Sequence, residues 1–446
     1  MIDQPPVRDE NATIAATVNT PDESASADGR PAITSDSTFA ANGRFESPDN
    51  FPHILRHPIL CGKWLVEVVF GAMTMWLLLA VIAAVPVGNL LALGYLLEAE
   101  GRVARSGKLR HAMFLLPAAA RLGSIIIGLV IWLAPVWLLA GAVRDAGLIA
   151  PDGRATWMWR FALLAATVLV GSHLLLALSR GGGPGCFFRP VKNVRWLIGQ
   201  LRAGTYWPTA HAAVRDFVRA WRVPHHLWLG TVGFVATAAW LAIPTMLYAA
   251  LHDSANTWQW LATVAGGACL VPVLSWLPIL QAQFAAEPRV GAMFDLRAAR
   301  ELIRNAPIAW LLATTALFAL SVPLFLYSFH LKMHLPPHRG IIDLTFISLG
   351  SAFAARAFLG WAVHRSGRRA APVPLELHEA GSELKRTMQS GWRPVVRTAV
   401  VLITRGVLFV LLGLFVWLMF HTRFTTERNH LLLQHHSLLL PIPLPN

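Results

Sequence analysis

Two arginines lie deep inside long apolar runs, where a charge is costly. Arg356 and Arg405 are each about 10 Å or more from the nearer polar flank, at ~1.5 Å per helical residue. An arginine in hydrocarbon costs at least ~2.5 kcal/mol, so it faces a partner, a cavity or lipid headgroups. We predict that both contact an anionic headgroup or substrate, with Glu98 and Glu100 as partners on the same side. The alternative is a side chain that extends to the surface or hydrogen-bonds helix carbonyls.

Three further segments place apolar residues at helical spacing and carry arginines beside the apolar stripe. They cover about 192–202, 214–222 and 292–304. Narrow stripes with basic flanks are typical of helices half-sunk in the headgroup region. Asp295 lies near the start of the third segment, where a carboxylate suits a helix N-terminus. The arginines that we predict to contact anionic lipid or a substrate are Arg215, Arg219, Arg222, Arg297, Arg300 and Arg304.

Histidines and glycines form patterns that resemble chemical sites, but no motif is complete. His330, His334 and His338 have helical spacing that could align metal ligands, yet two prolines interrupt that helix. The glycine-rich stretch at 181–185 lacks the GK[ST] of a Walker loop, and we interpret it as a flexible exit from a span. His173 is interpreted as a packed interhelical hydrogen bond. We therefore predict no catalytic residue, cofactor or metal site, and we favour a non-enzymatic protein.

The composition is that of a helical membrane protein. Hydrophobic residues make up 55% of the 446 residues and charged residues only 14%, whereas soluble proteins have about 25% charged residues. Apolar runs of about 20 residues recur along the chain. The basic residues cluster in loops between these runs, which predicts anionic lipid as the partner and excludes nucleic acid. Other membrane proteins are further expected partners.

Arginine outnumbers lysine 33 to 5, which hints at a GC-rich bacterial genome. We therefore expect a multi-pass protein of a prokaryotic inner membrane.

The chain divides into three parts. Residues 1–50 have a net charge of −6 and no apolar period, which predicts a disordered acidic tail. Residues 51–421 are predicted to form an all-α transmembrane domain, and 422–446 a short C-terminal tail. The domain has about eight predicted spans, near 64–86, 122–143, 157–178, 227–250, 258–280, 308–329, 341–363 and 395–420.

The path of the chain after the first span has two interpretations. Apolar residues continue to Leu97, which makes 64–97 too long for one crossing of a ~30 Å hydrocarbon core. Either the helix kinks at Pro86 and protrudes, or residues 87–97 fold back as a re-entrant segment. A basic loop is expected at 98–111.

Loop charges predict the orientation of the spans. Loops after the odd-numbered spans hold 23 Lys and Arg, against 5 after the even-numbered spans. The first set is therefore predicted to be cytoplasmic, which places both termini outside. A hairpin at 87–97 would instead move the N-terminal tail to the cytoplasm.

Repeated motifs suggest an internal duplication of four spans plus four. The sequence VPV occurs at 85–87 and again at 271–273, and ExRV occurs at 100–103 and at 287–290. Loop lengths follow the same order in both halves, which predicts repeats at 64–250 and 258–421. Chance matches of such short motifs are the alternative.

Two segments resemble a family of uncharacterised multi-pass membrane proteins, defined only as a domain of unknown function. They read RGGGPGCFFRPVKN…AHAAVRDFVRAWRVPHHLWLGTVGF at 180–234 and QFAAEPRVGAMFDLRAARELIRNAP at 283–307. In that family a span leads into a GAxFD-type segment and then a basic amphipathic helix. The segment here is Gly291-Ala292-Met293-Phe294-Asp295. The likeness covers about 50–420 and implies a helical membrane fold, but no activity, substrate or cofactor.

Two functions follow as hypotheses. The first is a non-enzymatic membrane protein with a structural, lipid-contacting or partner-binding role, since three basic surface helices are expected on one side. The alternative is a transporter of a small solute or lipid that uses the duplicated halves, with Arg356 and Arg405 in its path.

Overall fold

The computed structural model describes residues 58–370 apart from 84, 86, 249, 251–255 and 327–336, with scattered positions between 398 and 410. This described part of the chain is helical and contains no strand. The predicted tails at 1–50 and 422–446 lie outside it, as do Arg405, His330 and His334.

Twelve α-helices are described. In chain order they are α1 (Pro58–Ala83), α2 (Gly88–Ser106), α3 (Leu116–Ile149), α4 (Arg154–Ser179), α5 (Pro184–Phe187), α6 (Pro190–Arg202), α7 (Tyr206–Ala220), α8 (Val223–Tyr248), α9 (Thr257–Ala286), α10 (Leu296–Asn305), α11 (Pro307–Leu326) and α12 (Pro337–Ala370). Short 3-10 turns at Leu109–Met113 and Val290–Met293 precede α3 and α10.

Five helical segments of the described chain are long and apolar enough to cross a membrane. They are Trp64–Ala83, Leu109–Ile149, Arg154–Ser179, Tyr206–Tyr248 and Thr257–Ala286. A sixth is added if α10 and α11, which meet at a bend of 105°, form one broken span. The described chain is therefore helical, with five to six helices long and apolar enough to span a membrane, whereas about eight spans were predicted for the whole chain.

The chain folds back after α1. The end of α1 and the start of α2 are so close that a Cβ on Gly88 would overlap the carbonyl oxygen of Ile82. Two turns further into each helix, the Tyr95 hydroxyl donates a hydrogen bond to Met75 Sδ at 3.0 Å. These contacts lie at equal distances from the turn, so α1 and α2 are antiparallel. Residues 87–97 are thus a fold-back and not a kinked extension.

The expectation of a basic loop at 98–111 was wrong over its first half, because α2 continues to Ser106. Gly107 ends the helix in a left-handed conformation with φ 72°, and its N–H donates to the Val103 carbonyl at 2.7 Å. Charged side chains remain in this helix because neighbouring helices supply partners for Glu98 and Glu100.

Helix α2 is the centre of the bundle and touches α1, α8, α9 and α12. Glycines allow this close packing, since small residues let helix backbones approach. A Cβ on Gly94 would overlap the carbonyl oxygen of His226, and one on Gly230 would overlap that of Leu90. The α2–α8 crossing therefore depends on glycine on both sides.

Peripheral helices extend this centre. Helix α3 pairs with α1 and α4, and α11 packs along α12. Helices α6 and α7 occupy the predicted basic segments and contact α4. Helix α10 begins at Leu296, later than the predicted 292. The Asp295 carboxylate accepts hydrogen bonds from the backbone N–H groups of Arg297 and Ala298 at 3.1 and 3.0 Å, which confirms that it caps the helix N-terminus.

The repeated motifs take different local structures in the two halves. The first VPV lies at the break between α1 and α2, whereas the second lies inside α9, where Pro272 is a helix-internal residue. Glu100 lies within α2, whereas Glu287 is the C-cap of α9. The two copies of each motif therefore have the same residues but different local structures.

Candidate functional site

A buried polar network joins four helices at the centre of the bundle. Arg356 of α12 donates from Nη1 to Glu100 Oε2 at 2.7 Å and from Nη2 to Gln281 Oε1 at 2.9 Å. Gln281 of α9 in turn donates to the Thr237 hydroxyl of α8 at 2.6 Å. The Arg356 and Glu100 side chains are 4% and 0% exposed. Glu100 is thus the partner of Arg356, one of the two acids anticipated from the sequence.

The network is electrostatically demanding, because each charge is withdrawn from solvent. A buried ion pair must offset the desolvation of both ions, and it is sensitive to the loss of either partner. Glu100 Oε1 is buried without a hydrogen-bond partner within the described helices. The pair therefore fixes α2 against α12 in one register.

A second group surrounds Glu98, and we call it the Glu98 cluster (Glu98, Arg102, Arg105, Arg222 and His225). The Oε1 atom of Glu98 lies 2.9 Å from Arg102 Nε, 3.5 Å from Arg105 Nη2 and 3.8 Å from Arg222 Nη1. The His225 Nε2 atom lies 3.3 Å from the other carboxylate oxygen. Three guanidinium groups thus share a single carboxylate, so the arginines bring two positive charges more than Glu98 neutralises.

Contacts beyond Glu98 hold these arginines in place. Arg105 Nη1 donates to the carbonyl oxygens of Ala285 and Ala286 at 3.3 Å, at the C-terminal end of α9. A cation there is favoured by the helix dipole. The Arg102 guanidinium stacks on the Phe114 ring, 3.9 Å from its centroid. Both side chains are therefore oriented before any ligand arrives.

The acid of the cluster is buried, whereas its arginines are partly accessible to solvent. The Glu98 side chain is 9% exposed, whereas Arg102 is 34% exposed and Arg105 and Arg222 are each 48% exposed. The acid is thus enclosed while the guanidinium edges reach the surface. Charge-assisted hydrogen bonds from arginine suit phosphate and carboxylate oxygens, so the arrangement can bind an anion.

The other predicted arginines are exposed and are not brought to one site. On α7, Arg215 lies 3.6 Å from its neighbour Asp216. On α10, Arg300 lies over the Trp276 ring at 5.8 Å from its centroid. Only Arg222, of the predicted surface arginines, joins the Glu98 cluster. The predicted arginines that are exposed and lie outside the Glu98 cluster are Arg215, Arg219, Arg297, Arg300 and Arg304.

His173 has the structural role that its sequence context indicated. Its Nε2 lies 2.9 Å from the Phe187 carbonyl oxygen, which also accepts from Trp132 Nε1 at 3.0 Å. Phe187 is the last residue of α5, so the histidine connects α4 to α5. Within the described residues, no group of three His, Cys, Asp or Glu could hold a metal ion.

Several functional candidates were not identified from the sequence. Arg102 and Arg105 follow Glu98 at helical spacings of four and seven, but the charged composition of this stretch predicts a loop. His225 and Gln281 carried no local signal, because their partners lie 127 and 75 residues away.

Comparison with protein-family models, with curated proteins and with solved structures gave no match to this chain.

Proposed function

We propose that the protein is a non-enzymatic integral membrane protein that binds anionic lipid headgroups at the Glu98 cluster. The observation that carries the proposal is the unequal charge of the cluster, in which three guanidinium groups share one carboxylate. Glu98 holds the arginines together, and the excess positive charge faces outward. An anionic headgroup at the membrane surface would neutralise this excess positive charge.

Surface helices support a lipid-facing role. Arg215 and Arg219 on α7 are exposed, and so are the apolar side chains of Val214 and Val218, which are 56% and 59% exposed. Exposed apolar and basic residues on one short helix suit the headgroup boundary, where each finds its preferred surroundings. Helix α7 leads directly into Arg222 of the Glu98 cluster, so both belong to the same surface.

Removing two arginines of the cluster tests this proposal. In Arg105→Gln/Arg222→Gln, affinity for phosphatidylglycerol is expected to fall about thirtyfold, since each arginine near an anionic surface contributes ~1 kcal/mol. Lipid binding to the full-length protein in detergent can be measured by native mass spectrometry. Phosphatidylcholine is expected to bind equally to wild type and variant.

The matched control is Arg154→Gln, which removes an exposed arginine at the first position of α4. It is expected to leave phosphatidylglycerol binding unchanged. Equal phosphatidylglycerol affinity in the wild type and the double variant would contradict the proposal.

The proposed architecture has eight spans in a prokaryotic inner membrane, with the basic loops in the cytoplasm. The fold-back of α2 on α1 supports a cytoplasmic N-terminal tail, because α2 returns the chain to the side from which α1 enters. A single cysteine introduced at Ser24 in an otherwise cysteine-free chain is expected to resist a membrane-impermeant maleimide in intact cells and to react after lysis. Labelling in intact cells would place the tail outside.

A transporter is the second candidate, and the buried Glu100–Arg356 pair favours it. Ionisable groups inside a membrane bundle often mark a substrate or ion path. The 4+4 duplication belongs to this alternative as a proposal. In vesicles, a transporter would lose flux in an Arg356 variant that stays folded, whereas a lipid-binding protein would show no flux in either form.

A further inference from the structure

We propose that Arg121 and Arg180 form a second anion site, which binds a phosphate oxyanion beside the glycine turn at residues 181–183. This site is separate from the Glu98 cluster and shares no residue with it. It accounts for a glycine-rich stretch that lacks a Walker motif.

The glycine turn brings Arg121 against the segment that directly follows Arg180. Arg180 ends α4, and the following Gly181 and Gly182 have φ values of 121° and 66°. A Cβ on Gly181 would lie 4.0 Å from Arg121 Nη2, and one on Gly182 would lie 3.9 Å from Arg121 Nε. The guanidinium of α3 therefore lies against the turn that follows Arg180.

Neighbouring helices fix both side chains. Arg180 Nη1 donates to Asn193 Oδ1 at 3.0 Å, and Asn193, which is fully buried, donates to the Cys186 carbonyl at 2.7 Å. Arg121 is held by stacking over the Phe217 ring of α7, 4.9 Å from its centroid. Helix α6 thus orients one arginine and α7 orients the other.

Neither guanidinium forms an ion pair within the described residues. No Asp or Glu of the described residues lies within 4.0 Å of either guanidinium. The Nε atoms of both arginines are buried and find no hydrogen-bond partner there. Asp216 of α7 interacts electrostatically with Arg121, but its carboxylate forms an ion pair with Arg215 at 3.6 Å. Asp216 is shared with Arg215 and cannot neutralise both half-buried arginines, and burial makes the remaining positive charge costly, which favours a bound anion.

Phosphate fits this site better than a lone halide would. Planar guanidinium groups bind tetrahedral oxyanions through paired N–H groups. The exposed apolar residues Phe188 and Val191 lie close by in the chain, at 61% and 63% exposure. A phospholipid could lay its acyl chains along them, while free phosphate would use the arginines alone.

Titration of the full-length protein in neutral detergent tests the site. Inorganic phosphate, short-chain phosphatidylglycerol and short-chain phosphatidylcholine are added at constant ionic strength, and thermal midpoints are followed by tryptophan fluorescence. We expect phosphatidylglycerol to raise the midpoint of the wild type and phosphatidylcholine not to do so. A shift with inorganic phosphate as well assigns free phosphate as a sufficient ligand, and a shift with lipid alone assigns the headgroup.

The variants Arg121→Gln and Arg180→Gln are expected to weaken the anion affinity about tenfold each. Arg121→Lys keeps the positive charge but loses the paired N–H groups of the planar guanidinium, so it is expected to weaken binding several-fold. Because the charge is retained, this variant distinguishes a loss of binding from a folding defect. Arg144→Gln, an exposed change at the other end of α3, is the matched control. The same losses are expected in the Arg105→Gln/Arg222→Gln background, which removes the contribution of the Glu98 cluster, so that failure of this site is distinguishable from failure of the cluster. Wild-type shifts in all Arg121 and Arg180 variants, or no shift with any anion, would overturn the proposal.

Discussion

Replacing Gly230 by alanine is expected to prevent α2 and α8 from packing and to leave little folded protein. The added Cβ would overlap the carbonyl oxygen of Leu90, and the neighbouring Gly94 faces the backbone of His226 in the same way. The overlapping atoms belong to the backbone, so relief requires the helices to separate. We expect a loss of more than ~4 kcal/mol, at the extreme of single substitutions. Monodisperse yield on size-exclusion chromatography and the thermal midpoint measure it.

Gly171→Ala is the matched control for this prediction. It lies in α4, and a Cβ there meets no atom within 4 Å. Alanine is preferred to glycine inside a helix by ~1 kcal/mol, so the variant is expected to equal or slightly exceed the wild-type stability. If Gly230→Ala were as stable as Gly171→Ala, the described α2–α8 crossing would be wrong.

Arg356→Gln is expected to destabilise the protein by about 3–5 kcal/mol, because it leaves the Glu100 carboxylate buried beside a neutral group. Arg356 Nη1 lies 2.7 Å from that carboxylate, and both side chains are nearly inaccessible to solvent. The measurement is the free energy of unfolding in mixed micelles with increasing denaturant.

A double variant separates the ion pair from the volume of its side chains. Glu100→Gln/Arg356→Met removes both charges and is expected to recover most of the lost stability, since neutral replacements of buried pairs are often tolerated. Arg368→Gln, an exposed change on the same helix, is expected to have no effect. A wild-type free energy of unfolding in Arg356→Gln would show that the pair does not hold α2 to α12.

Local signals in the sequence determined the helices and their capping. Long apolar runs predicted the helices of membrane-spanning length, because the hydrocarbon core requires about 20 apolar residues per span. The position of Asp295 predicted its cap, because a capping carboxylate bonds N–H groups two and three residues away. Such properties depend on a few neighbouring residues, and a sequence reveals them directly.

The tertiary structure alone decided where α2 lies and which charges meet. Glu98 and Glu100 stand in a charged stretch that has the composition of a loop, so local reasoning ended the helix too early. Burial of these acids is tolerable because Arg222 and Arg356 reach them from 124 and 256 residues away in the chain. Partners at such separations are set by how whole helices pack. The glycines that permit this packing have no side chain, so the sequence gives no local signal of the contact. The spacing of residues therefore predicted the elements, and the packing of α2 among its neighbours decided the sites.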